Sequence, residues 1–220
     1  MMVLVHVEGP SDRAGMEKLF RGIIETGKQR GVGIRFIAAG GKARILDDVP
    51  IKAALHLRDN PSDWVVATPD LYPVRPYLGT RNAHDSASAL RALLEQRFGD
   101  AAVKYRVPDL GRTRFRAFCL QHDVEALVLA APTVLRERLR TRDAIEGHWR
   151  KPVETQNGDQ PPKRVVEALF TRYGNRTRYR DTLDLPWLLE RADLPALEQA
   201  CPQQFALLAA FLRERIGRSE

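Results

Sequence analysis

Apolar and polar positions alternate from Met2 to Val7, with Val3, Val5 and Val7 on one side and Leu4, His6 and Glu8 on the other, a period of two that predicts a strand. The period then changes. Met16, Leu19, Phe20, Ile23 and Ile24 recur at spacings of three and four, which predicts a helix over residues 11–26. Gly9 allows the sharp turn between the two, and Pro10 with Ser11 suits a first helical turn and its cap. Further strands are expected at 34–38 and 64–68, a helical stretch at 40–58 disturbed near Pro50, a helix at 85–98, and strands at 103–107 and 115–120. Beyond Asp123 the pattern turns helical, over 125–129, 133–149, 162–173, 186–192 and 194–216.

Such alternation of strand and helix argues for a mainly parallel sheet with helices on both faces. The expected fold class is α/β, with residues 1–122 as the core and residues 123–220 as a mainly helical layer or subdomain packed on it in one compact unit. A chain of 220 residues that is 44% hydrophobic can bury one sizeable core, which argues against disorder. No apolar stretch approaches the span of a bilayer, and no charged start precedes an apolar segment, so a soluble cytoplasmic protein with no membrane partner is expected. Cys119 and Cys201 are too few for a disulfide framework, and Cys119 with His122 does not complete a zinc set.

Charge sharpens this picture. The net charge is +7, and residues 112–180 carry all of it, with 15 Lys and Arg against 8 Asp and Glu. That balance favours an anionic partner, although Arg136, Arg138, Arg140 and Arg142 lie among Glu137 and Asp143 and could be surface pairs. The run Arg172-Tyr173-Gly174-Asn175-Arg176-Thr177-Arg178-Tyr179-Arg180 interleaves cations with rings, a composition able to follow a nucleic-acid backbone and stack a base. A basic loop over the helical layer would have the same composition.

Candidate chemistry sits at the strand ends. Glu8 follows the first strand and Asp70 the third, and in open α/β sheets that edge faces the ligand crevice. If the two strands are neighbours the carboxylates converge, and magnesium takes one or two carboxylates with water and phosphate. Without a cation their repulsion would raise one pKa. Asp12 could join them, or be only a first-turn acid favoured by the helix dipole. Glu125, at the start of an apolar helix, carries the same two readings, and His122 reads either as a structural side chain or as a phosphate partner. Lys163 and Arg164 follow Pro161-Pro162 at a helix start, where exposed amides attract anions and a lysine could offset charge on a scissile phosphate. Gly40-Gly41-Lys42-Ala43 lacks the spacing and the Ser/Thr of a nucleotide P-loop, and no G-x-S-x-G elbow occurs.

Glu8-Gly9 after one strand, with Asp70 after a later one, resembles the Toprim catalytic core. His122-Asp123-Val124-Glu125-Ala126-Leu127, Pro152-Val153-Glu154-Thr155-Gln156-Asn157-Gly158 with Pro162-Lys163-Arg164, and the stretch from Cys201 to Phe205 resemble the Toprim-like family catalogued as domain of unknown function 4276, over nearly the whole chain. The resemblance implies a magnesium- or manganese-dependent phosphoryl-transfer enzyme, foremost a nuclease similar to those of the overcoming-lysogenization-defect type. It also implies a separate ATPase partner in a phage-defence system. Glu8 is then acid/base and metal ligand and Asp70 a metal ligand, with Asp12 standing where many relatives carry glutamate. Tyr72 occupies the place of a second aspartate, a departure for which Glu125 could supply the missing oxygen. In this reading Lys163 stabilises an oxygen of the phosphate, and Arg164, Arg172, Arg176, Arg178 and Arg180 meet nucleic acid. Tyr72 also supports an alternative, a non-catalytic nucleic-acid-binding or assembly subunit. A hydrolase of a small nucleotide or phosphate compound is the third reading.

Overall fold

A computed structural model describes residues 1–156, 160–174 and 178–217. Strands β1 (Met2–Val7), β2 (Gly33–Ala38), β3 (Trp64–Ala67) and β4 (Phe115–Ala117) form a four-stranded sheet in the order β2-β1-β3-β4, with every pair parallel. Parallel neighbours need crossovers, and helices supply them. These are α1 (Pro10–Leu19) and α2 (Arg21–Gln29), then α3 (Lys42–Asp47) and α4 (Val49–Asp59), then α5 (Ala87–Lys104) and α6 (Asp109–Arg112). The remainder is helical: α7 (Glu125–Leu129), α8 (Pro132–Leu139), α9 (Pro162–Tyr173), α10 (Asp181–Arg191), α11 (Leu194–Ala200) and α12 (Phe205–Gly217).

Strand alternation divides the interior in two. Val3, Val5, Val7, Trp64 and Val66 pack into one apolar cluster with residues of α1, α2 and the C-terminal helices. Val65, Ala67, Phe115 and Ala117 face the other way, onto α3, α4 and α5, with Leu4 packed against that cluster. Both faces of the sheet are thus covered, an α/β arrangement with a helical C-terminal part. No helix among the described residues is long and apolar enough to cross a membrane.

Several expected elements are redrawn. Residues 103–107 are not a strand: α5 continues to Lys104, Val103 is 66% exposed, and Arg106 turns the chain with a φ of 57°. The apparent alternation there is the end of a helix in which Ala101 and Ala102 face the core and Val103 faces out. The strand expected at 115–120 ends at Ala117, leaving a single bridge between Leu120 and Asp70. The helix expected at 11–26 breaks at buried Phe20, between α1 and α2. The one expected at 133–149 stops at Leu139 because Arg140 adopts the left-handed conformation that ends helices. Residues 194–216 form two helices separated at Pro202, which cannot donate a helical hydrogen bond. Finally, α10 begins at Asp181, five residues before Pro186, which the helix carries inside it.

Candidate functional site

The site is built on the carboxyl edge of the sheet. Strands β1 and β3 are hydrogen-bonded neighbours with His6 opposite Ala67, so Glu8 and Asp70 leave the sheet side by side. The Asp70 N–H donates to Glu8 Oε1 at 3.1 Å. Gly40 and Gly41 hold the Glu8 main chain, donating to its carbonyl at 3.0 and 2.9 Å. They do so at φ values of 89° and 112°, where a side chain would strain the backbone.

Asp12 does what a first-turn acid does, accepting the Gly9 N–H at Oδ2 over 2.7 Å. It also belongs to a larger group. Asp70 feels the charges of Glu8, Asp12, Asp123 and Glu125, so five carboxylates drawn from three stretches of chain share one electrostatic neighbourhood. Burial, with this mutual repulsion, holds Asp70 well above the usual carboxylate range. Burial likewise pushes Glu8 up to about 7, Asp123 to about 6 and Glu125 to about 8, and raises Asp12. Asp123 accepts the Lys163 N–H at Oδ2 over 3.2 Å, capping the start of α9, while its buried Oδ1 has no hydrogen-bond partner among the described residues. Glu125 is 3% exposed and accepts the Tyr179 hydroxyl at 3.2 Å.

Two lysines offset this negative charge. Lys163 Nζ lies 2.9 Å from Asp181 Oδ2 and 3.9 Å from Glu125 Oε1. Burial works against its charge, but the Asp181 bond and the Glu125 carboxylate outweigh it and raise its pKa. Lys42, at the start of α3, is buried and donates to the Leu71 carbonyl and, at 3.1 Å, to that of Pro73. Its pKa is lowered by burial, against the opposing pull of Glu8 and Asp70. Beside the acids, the Tyr72 and His122 rings stack with centroids 5.0 Å apart, and His122 Nε2 lies 3.2 Å from the Glu154 carbonyl oxygen. Both rings line a cleft of about 560 Å³ that Asp123 also borders.

Of the residues singled out in the sequence, Glu8, Asp70, Asp12, Glu125 and Lys163 are therefore brought together. The basic residues are not. Arg164 is exposed and pairs with Glu167, and Arg172 lies over the Tyr173 ring. Arg178 and Arg180 border a different cleft, and Arg176 lies outside the described residues. Asp123 and Lys42 were not anticipated as site residues. Asp123 had a signal, standing two residues before Glu125 in the stretch His122 to Leu127; Lys42 had only its glycine pair. Among the described residues no three His, Cys, Asp or Glu side chains are arranged, as they stand, to hold a metal ion.

No curated protein matches the chain. Among solved structures it is similar to the C-terminal region of the OLD protein of Xanthomonas campestris pv. campestris, at 16% identity over 98% of this chain and 95% of that one, with a TM-score of 0.46. The model of a family described as a domain of unknown function, DUF4276, matches residues 7–212, and the chain belongs to that family.

Proposed function

We infer that the chain is a divalent-metal-dependent phosphoryl-transfer enzyme, foremost a nuclease acting on DNA or RNA. The observation that carries this reading is the gathering of Glu8, Asp12, Asp70, Asp123 and Glu125 at one sheet edge with their proton affinities raised. A structural role gives little reason to collect five mutually repelling acids, whereas an all-oxygen donor set suits a hard cation. The buried Oδ1 of Asp123, with no hydrogen-bond partner among the described residues, fits the same requirement. Glu8 and Asp70 would hold magnesium or manganese, with Glu125, Asp123 and Asp12 beside them. Bound there, the ion would lower the pKa of its water and neutralise phosphate charge.

The chain's own residues supply the rest. In the metal-free chain burial pushes Glu8 up to about 7, so a cation entering the site would displace a proton there at neutral pH. Lys163, kept charged by Asp181, can face the anionic phosphate, and Lys42 anchors the loop that follows Asp70. A second reading, a nucleic-acid-binding subunit without catalysis, is favoured by Tyr72 in place of an acid and by the lack of a ready-made metal trio.

The test is cleavage of labelled single- and double-stranded DNA and RNA with magnesium, manganese or chelator. Metal-dependent cleavage is expected, falling about 100-fold or more in both Glu8→Gln and Asp70→Asn. Salt-sensitive binding with no cleavage under any metal would favour the second reading.

A further inference from the structure

Residues 178–180 serve two places at once. The Tyr179 hydroxyl reaches Glu125 in the acid cluster, while Arg178 and Arg180 border a separate cleft of about 550 Å³ between α8, α9 and α10. Arg138, Arg140, Phe170 and Tyr173 complete its working wall. Asp184, 1% exposed, is the single carboxylate among the described lining residues, and it is already committed: it accepts Arg138 Nε at 2.9 Å and the Arg180 N–H at 2.7 Å. The Arg140, Arg178 and Arg180 guanidinium groups form no ion pair among the described residues, and Arg178 and Arg180 are exposed. Three unpaired cations thus border one concave space. Their shared positive field favours an anion over the cleft. Guanidinium forks match phosphate oxygens, and the cleft has the volume of a small-ligand site. Phe170 and Tyr173 add ring surface, with the Tyr173 hydroxyl 3.0 Å from His148 Nε2.

We propose that this cleft binds a phosphorylated nucleoside through Arg140, Arg178 and Arg180, with Arg138 fixed on Asp184 as its floor. The ligand is either the phosphorylated end of a nucleic-acid chain or a free nucleotide. The site is distinct from the acid cluster and requires no hydrolysis.

Binding of the full chain is measured in chelator, by anisotropy of internally labelled single-stranded oligonucleotides carrying a 5′-phosphate, a 3′-phosphate or neither, and by calorimetry with AMP and adenosine. The phosphorylated member of at least one pair is expected to bind about tenfold more tightly. Arg178→Ala should remove that advantage, as should Arg140→Asn, which tolerates the left-handed backbone at this position. Arg58→Ala, on α4 against the opposite face of the sheet, should leave it in place. An advantage confined to the oligonucleotides assigns the site to a chain end, and one shown by AMP assigns it to a free nucleotide. Equal binding with and without phosphate overturns the proposal, as does an advantage that survives Arg178→Ala. Metal-dependent cleavage is read separately, so either conclusion can fail without the other.

Discussion

Lys42 shows how much a single buried charge can do at this site. The residue is 5% exposed, and its ammonium group interacts with Glu8 and Asp70 and fastens the carbonyls of Leu71 and Pro73. Lys42→Met would leave both carbonyls without this donor and withdraw positive charge from two acids that already resist ionisation. It is expected to cost about 1–3 kcal/mol, read from the urea midpoint. Glu8 and Asp70 were legible because a strand's period fixes where it ends, and the residue just past that end lies at the sheet edge. Lys42 was not, because Gly40-Gly41-Lys42-Ala43 carries no local sign of what the ammonium group meets. Its actual partners, Leu71 and Pro73, lie about thirty positions away along the chain.

At the scale of elements, the contact that seats the C-terminal helices on the core is α1 against α10. A Cβ on Gly15 would stand 2.9 Å from Leu189 Cδ1 and 3.2 Å from Leu185 Cγ, so the two helices approach closely at a residue without a side chain. The same pairing brings Asp12 on α1 within electrostatic reach of Asp181 on α10. Gly15→Val is expected to destabilise the chain by about 1–3 kcal/mol through overpacking, measured as a lowered denaturant midpoint. An unchanged midpoint would mean that the helices move apart freely. Helices with a strong apolar period were readable, but their breaks at Phe20, Arg140 and Pro202 were read less well. Of these only the proline carries a local signal. The others depend on what the chain meets as it turns, as with α5, whose last turn imitates a strand.

For the whole molecule, the acid cluster links stability to pH. Asp123, Glu8 and Glu125 titrate at about 6, 7 and 8, against ordinary values of 3.8, 4.5 and 4.5. The folded chain therefore binds more protons than the unfolded one between those limits. The stability these groups contribute is complete below their unfolded values and is lost as pH rises through about 6 to 8. Buried His6, lowered to about 4 from 6.5, acts oppositely, its contribution being complete above 6.5 and lost as pH falls through about 4. Above pH 6.5 His6 and His122, both lowered from 6.5, contribute no further change while Glu8 and Glu125 are still losing their protons, so metal-free Tm should fall from there to about pH 8. The slope should flatten in a Glu8→Gln, Glu125→Gln double variant, and a flat profile in the unaltered chain would contradict the raised proton affinities. By itself the sequence determined the strand and helix periods, the α/β class and the acids at two strand ends, because these follow from local backbone geometry and the side on which apolar residues fall. Only the tertiary structure decided that β1 and β3 are neighbours, that Asp123, Glu125 and Lys42 join Glu8 and Asp70, and that Arg138 and Arg140 share a cleft with Arg178 and Arg180. Electrostatic coupling falls with distance through space, and chain separation says nothing of that distance until the elements are packed.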